Sequence, residues 1–155
     1  MQDKPLSHMD QQGRAHMVDV GSKPIVHRTA VAQGDFVARA ATLDRILVGN
    51  LPKGEALSVA RVAGIVAAKQ TDELIPLCHS LPLDHVAVDF ERVAKERLRV
   101  TAETSVSART GVEMEALTAV VITCLTLYDM TKAVDKDLRI ENVTLLDKTK
   151  SSEGK

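Results

Sequence analysis

The chain has 155 residues, of which 45% are hydrophobic and 26% are charged, and this composition is typical of one soluble globular domain. A formal net charge of -1, with one Tyr, two Phe and no Trp, argues against a nucleic-acid binder, because basic fields and stacking platforms are both lacking. The two cysteines, Cys78 and Cys124, and the polar N-terminus favour a protein of the reducing cytoplasm.

The sequence divides into three predicted regions. Residues 1–15 are polar and are predicted to form a mobile N-terminal segment, residues 16–148 a single domain, and residues 149–155 a flexible C-terminal tail. Within the domain, the β-branched residues of Met17–Ala40 predict extended structure, and Thr42–Val48 predicts a short helix capped by Thr42. Glu55–Gln70 predicts a long helix, in which Gly64 costs about 1 kcal/mol of helix propensity and therefore indicates a close neighbour.

The second half of the chain continues the alternation of strands and helices. After a proline-bounded apolar loop, Leu74–Leu83, the alternating patterns of Asp84–Arg92 and Arg97–Val106 predict two strands joined by a hairpin. Gly111–Val134 predicts the second long helix, and Leu138–Leu146 predicts the last strand. This order predicts an α+β fold with a ferredoxin-like antiparallel sheet covered by two long helices.

The second long helix is apolar nearly all round. Its longest apolar run, Ala116–Tyr128, is too short to span a bilayer and is closely flanked by carboxylates, so it predicts a buried soluble helix. A small domain covers such a helix most easily by forming an oligomer.

The two ends of this helix carry the first candidates for chemistry. Asp129 and Lys132 are neighbours at i and i+3, and form either a surface ion pair or an acid–base pair. Glu115 lies fourteen positions before Asp129, or about 21 Å along a helix. Either the ligand is long, or the two ends serve different sites that a neighbouring subunit completes.

Two loops carry further candidates. Lys53 precedes the first long helix, where it is either a solvated turn residue or a partner for an anion bound at the helix amides. His79 follows Cys78 in the apolar loop, and is either a buried structural histidine or a ligand-binding group. No metal site is predicted, because adjacent Cys and His do not readily share one tetrahedral ion.

Four segments together resemble the molybdenum cofactor biosynthesis protein C (MoaC) family. They are Lys69-Gln70-Thr71-Asp72-Glu73-Leu74-Ile75-Pro76-Leu77-Cys78-His79, Thr110-Gly111-Val112-Glu113-Met114-Glu115-Ala116-Leu117-Thr118-Ala119, Leu127-Tyr128-Asp129-Met130-Thr131-Lys132-Ala133, and His16-Met17-Val18-Asp19-Val20. The similarity runs collinearly from about Leu6 to Lys148. Several long ungapped motifs in order are far more specific than one short pattern.

The resemblance implies a cytoplasmic lyase of molybdenum cofactor biosynthesis, with catalysis by the domain 16–148. The expected reaction converts 3',8-cyclo-7,8-dihydroguanosine 5'-triphosphate to cyclic pyranopterin monophosphate and releases pyrophosphate. A homohexamer, built as a trimer of dimers with interfacial active sites, is also implied. No cofactor is expected to be required, although Mg²⁺ can accompany the triphosphate, and neither nucleic acid nor a membrane is an expected partner.

Carried over by position, the resemblance also assigns residues. Asp129, Lys53 and Lys132 match the catalytic groups. The substrate-binding positions are Leu77, Cys78, His79, Met114 and Glu115, with Arg28 and Lys148 as basic groups that line the site. The tail reads Thr149-Lys150-Ser151-Ser152-Glu153 without the usual Gly-Gly-Lys-Ser-Gly. The alternatives are a non-catalytic nucleotide-binding regulator and an inactive paralogue.

Overall fold

The computed structural model describes residues 8–151 and arranges them as one antiparallel sheet with helices. The elements are β1 (Val26–Val37), α1 (Ala40–Leu47), α2 (Ala56–Lys69), α3 (Thr71–Leu74), β2 (His85–Ala94), β3 (Arg97–Ala108), α4 (Glu113–Thr131) and β4 (Arg139–Ser151). The strand order is β2-β3-β1-β4, and each neighbouring pair is antiparallel. The predicted α+β class, antiparallel sheet and two long helices are therefore confirmed.

One face of the sheet carries the buried apolar side chains of the core. In β1 the buried apolar residues include Ala30, Ala32 and Phe36, and in β3 they include Leu98 and Val100. Side chains alternate between the two faces of a strand, so these positions share the face that α4 covers. The central strands thereby fix the position of α4, whose two ends carry the candidate functional residues.

Gly64 has the packing role that its sequence position predicted. A Cβ at this position of α2 would clash with Thr123 Oγ1 and lie 3.0 Å from the Ala119 carbonyl oxygen of α4. The absent side chain thus permits close approach of the two long helices.

Helix α4 is long and apolar enough to cross a membrane when length and composition alone are considered. Half of its apolar window is buried inside the structure, and the helix packs on α2 and the sheet. Residues such as Ala119, Val120 and Leu127 belong to the main hydrophobic core. This packing is that of a core helix.

One predicted detail was wrong. Helix α1 begins at Ala40, so Thr42 lies inside it, and the Thr42 hydroxyl donates to the Asp135 carboxylate at 2.7 Å instead of capping the helix. The extended structure predicted within Met17–Ala40 is confirmed over Val26–Val37, the part of that range that forms a strand.

The last strand extends further than the sequence pattern predicted. Strand β4 continues to Ser151 because it pairs with β1 as far as His27, so residues 149–151 of the predicted tail belong to the sheet. Residues 152–155 of that tail, and residues 1–7 of the predicted mobile segment, lie outside the described residues. The extension adds Lys150 to the end of the sheet that carries Arg28.

Candidate active site

The predicted site residues fall into separate groups near the two ends of α4. Glu115 lies in its first turn and Asp129 in its last, so fourteen residues of continuous helix separate them by about 21 Å. A single chain therefore does not bring all the predicted residues to one reacting atom.

The three predicted catalytic residues meet at the C-terminal end of α4. Asp129 Oδ2 accepts a hydrogen bond from Lys53 Nζ at 2.6 Å, and Asp129 Oδ1 lies 2.8 Å from Lys132 Nζ. The turn that precedes α2 positions Lys53. In this turn Gly54 has a φ of +95°, a backbone conformation that residues other than glycine rarely adopt. Although 76 residues separate Lys53 from Asp129 in sequence, they are in direct contact within one chain.

The charges of this cluster reinforce one another. Hydrogen bonds from Lys132 and Lys53, together with their positive charges, lower the pKa of Asp129 to about 2. The same hydrogen bond and the charge of Asp129 raise the pKa of Lys132. At neutral pH the cluster is one carboxylate held between ammonium groups, all three side chains being partly open to solvent.

Of the two interpretations of Lys53, the one with an anion bound at the start of α2 is not supported by the structure. Glu55 is the N-cap of α2, and its carboxylate accepts hydrogen bonds from the backbone N–H groups of Leu57 at 2.9 Å and Ser58 at 2.7 Å. Because these amides are already occupied, Lys53 serves the Asp129 cluster and not an anion at the helix terminus.

A cavity of about 340 Å³ opens at the other end of α4. Five of the seven residues predicted to bind substrate line it, namely Leu77, Cys78, His79, Met114 and Glu115. Its other lining residues are His8, Val18, Val20, Lys23, Leu81, Thr110, Gly111 and Glu113. The proline-bounded loop and the first turn of α4 therefore share one cavity within a chain.

His79 holds the N-terminal segment against this cavity. Its Nε2–H donates to the Val18 carbonyl oxygen at 2.7 Å, and Val18, Val20 and Lys23 supply part of the cavity wall. These residues were not predicted as site residues, although Val18 and Val20 belong to the His16–Val20 motif. The motif is a signal that identifies this wall, but it does not reveal which atoms face the cavity.

Glu115 is the most strongly perturbed carboxyl of the cavity. Its side chain is almost fully buried, with 4% relative exposure. Burial raises the pKa of Glu115 to about 7, and the negative charges of Glu113 and Asp72 act in the same direction against an opposing backbone hydrogen bond. Near neutral pH this carboxyl exists in both protonation states, so it is suited to proton transfer.

Cys78 is a thiol in the same environment. Burial raises its pKa, and the negative charges of Glu115 and Asp72 raise it further. A thiol with a raised pKa is a poor nucleophile at neutral pH. Within residues 8–151, no three His, Cys, Asp or Glu side chains are grouped as ligands for a metal ion.

Arg28 and Lys148 lie beside the cavity, not in its wall. A second cavity contains both cations and shares Gly111 and Glu113 with the first. Lys148 Nζ pairs with Glu113 Oε1 at 3.0 Å, while the Arg28 guanidinium donates to the carbonyl oxygens of Ala108 at 3.2 Å and Arg109 at 3.1 Å. The basic groups are thus close enough to serve a ligand that extends out of the first cavity.

Comparisons with known proteins agree with these motifs. The sequence pattern of the MoaC family matches residues 17–151. The chain is 52% identical over 150 residues to the cyclic pyranopterin monophosphate synthase of Herpetosiphon aurantiacus, covering 96% of this chain and 92% of the relative. It is 54% identical over 149 residues to the protein of that name from Novosphingobium aromaticivorans, with 96% and 94% coverage. The Parvibaculum lavamentivorans protein of the same name is 51% identical over 155 residues, with 99% and 97% coverage.

Proposed function

The chain belongs to the MoaC family, and we propose that it acts as a cyclic pyranopterin monophosphate synthase. The proposed lyase converts 3',8-cyclo-7,8-dihydroguanosine 5'-triphosphate to cyclic pyranopterin monophosphate and pyrophosphate during molybdenum cofactor biosynthesis. The observation that carries this proposal is the contact of Lys53 and Lys132 with one carboxylate, that of Asp129. A protein that only binds a nucleotide has no need of such a proton-transfer cluster.

The cluster supports general acid–base catalysis in which the two lysines donate protons and Asp129 accepts them. Each ammonium group carries a proton next to an acceptor, and Asp129 holds both lysines in position. With a pKa of about 2, Asp129 is a weak base while both lysines are charged. Donation of a proton by Lys53 or Lys132 removes one positive charge and makes Asp129 a better acceptor for the next transfer.

The cavity supports recognition of the substrate and a further proton transfer. Its lining combines apolar surface from Leu77 and Met114 with polar groups from His79 and Glu115. We assign the ring system of the substrate to this cavity and its triphosphate to the side where Arg28 and Lys148 lie. Charge-assisted hydrogen bonds from these cations would offset the phosphate charge.

Because about 21 Å of helix separates Glu115 from Asp129, the proposed active site lies at an interface between two subunits. One subunit supplies the Asp129 cluster and a neighbouring subunit supplies the cavity, within a homohexamer built as a trimer of dimers. Exposed apolar stripes support such contacts: Val59, Val62 and Val66 lie on α2, and Val121 and Leu125 on α4. Val62 is 59% exposed and Leu125 is 51% exposed, so both are available for burial against another chain.

The subunit is proposed to be ferredoxin-like and the protein cytoplasmic. The order β2-β3-β1-β4, with a long helix after β1 and another after β3, supports the ferredoxin-like assignment. The reaction rearranges and cyclises its substrate without net oxidation, so the proposed enzyme requires no redox cofactor. Mg²⁺ enters only as a companion of the triphosphate.

Incubation of the purified protein with the cyclised triphosphate tests this function. The enzyme is expected to release pyrophosphate and cyclic pyranopterin monophosphate, whereas Asp129→Asn is expected to bind the substrate without comparable turnover. Binding with no product from the wild-type protein would favour the nucleotide-binding regulator or the inactive paralogue.

A further inference from the structure

The end of β4 places an unusual pair of like charges across the sheet. Lys150 is the direct antiparallel partner of Arg28 in β1, two residues beyond Lys148, which is the partner of Ala30. Direct cross-strand partners project from the same face, and alternate residues of a strand share a face. Arg28, Lys148 and Lys150 therefore form one cationic group at the end of the sheet nearest the first turn of α4.

Within residues 8–151, the neighbouring carboxylates do not neutralise the positive charge of this cationic group. Glu113 forms its ion pair with Lys148, and the guanidinium of Arg28 donates to two neutral carbonyl groups. None of the ion pairs formed by the described residues includes Lys150. Like charges placed directly opposite each other destabilise a strand pair, so the fold itself gains nothing from this arrangement.

Two cavities meet at this pair of cations. Arg28 and Lys150 line the cavity that contains Glu113 and Lys148, and they also line an adjoining cavity that contains Lys23. The charged residues that line the adjoining cavity are all cationic: Lys23, Arg28 and Lys150. Its electrostatic character suits a multiply charged anion that continues outward from Lys148.

We propose that Lys150, with Arg28 and Lys23, forms a subsite for a phosphate group of a polyphosphate ligand. This inference rests on the proposed function, in which the ligand is the triphosphate of the substrate or the pyrophosphate that leaves. Arg28 supplies a planar donor group, and Lys150 and Lys23 supply compact charges on flexible stems. The bound anion relieves the repulsion between Arg28 and Lys150, so ligand binding recovers the stability that the empty pair costs.

Calorimetric titration with inorganic tripolyphosphate tests the subsite without requiring turnover. Lys150→Gln is expected to weaken binding about tenfold, which is the scale of one lost charge-assisted contact. Lys23→Gln should weaken binding in the same direction, and Lys150→Arg should retain most of the affinity because the charge remains. The matched control is Lys95→Gln, which removes one exposed lysine charge at the β2–β3 hairpin.

The control is remote from the proposed subsite. The register of β1 with β3 runs from Val26 at the subsite end to Val37 at the hairpin end, a span of about 36 Å for eleven residues of strand. Unchanged tripolyphosphate affinity in Lys150→Gln would overturn the proposal. Equal weakening in Lys95→Gln would also overturn it, because binding would then follow net charge and not the subsite.

Thermal unfolding and kinetics separate this inference from the proposed function. Without the anion, Lys150→Gln should unfold at a temperature no lower than the wild-type protein, since a like-charge contact has been removed. In turnover it should raise KM with a smaller change in kcat, as expected for a contact made equally in ground and transition states. If the wild-type protein turns over substrate but Lys150→Gln binds the anion with unchanged affinity, the subsite proposal alone is refuted. If the wild-type protein binds tripolyphosphate but forms no product, the synthase proposal alone is refuted.

Discussion

Replacement of Glu115 by Gln is expected to abolish a loss of stability that the wild-type protein suffers as pH rises. Gln has nearly the same shape as the protonated carboxyl and carries no charge. Glu115 is 4% exposed, and burial raises its pKa from 4.5 to about 7. The folded protein therefore holds this proton more tightly than the unfolded chain does.

The magnitude follows from these two pKa values. Since the folded pKa is the higher one, the contribution of Glu115 to stability is most favourable below pH 4.5 and declines as pH rises through 7. Between pH 5 and pH 8, proton linkage lowers the contribution of Glu115 to the unfolding free energy by roughly 2–3 kcal/mol. Glu115→Gln lacks this loss, so the stability difference between the two proteins should shift in favour of the variant by about that amount.

Urea unfolding at fixed protein concentration, repeated from pH 5 to pH 8, measures the effect. Glu91→Gln is the matched control, because Glu91 is exposed on β2 and its replacement removes the same charge without changing the cavity. The reasoning is refuted if Glu115→Gln and the wild-type protein lose stability in parallel over this range. The same result in Glu91→Gln as in Glu115→Gln would assign the effect to net charge.

Four further predictions concern the Asp129 cluster and assembly. Asp129→Asn and Lys132→Ala should each lower the turnover rate by about 10²–10⁴-fold with little change in unfolding temperature, and near-normal rates would remove both from the mechanism. Lys53→Ala mixed with Asp129→Asn should not regain activity, because both residues belong to the cluster of one chain. His79→Ala mixed equally with Asp129→Asn should instead recover about a quarter of the wild-type sites, since random pairing joins one intact cluster to one intact cavity at that frequency. Light scattering of the wild-type protein should give a mass near six times the 16.8 kDa chain, and Val62→Asp should lower it; a wild-type monomer would contradict the shared site.

Much of the fold was predictable because its main signals are local. The apolar alternation of β2 and β3 and the continuous apolar surface of α4 report burial within each segment. The end of β4 was not predictable in the same way, because residues 149–151 are polar and join the sheet through backbone pairing with β1. Thr42 was misassigned because a Thr that caps a helix and a Thr that donates to a distant carboxylate have the same local sequence context.

The sequence predicted which residues belong to the candidate site better than it predicted how they are arranged in space. The motifs identified Lys53, Asp129 and Lys132, but only the fold brings Lys53 to Asp129 across 76 residues. The role of Glu55 as helix cap depends on the side-chain geometry of one turn, so the sequence left open whether an anion binds the amides that Glu55 occupies. The raised pKa of Glu115 likewise arises from burial, which no spacing of residues specifies.

Product analysis after incubation with 3',8-cyclo-7,8-dihydroguanosine 5'-triphosphate tests the central claim most directly. The wild-type protein should form cyclic pyranopterin monophosphate and pyrophosphate in equal amounts, and Asp129→Asn should form both far more slowly. Recovery of unchanged substrate from folded, assembled wild-type protein would contradict the claim that this chain is the synthase.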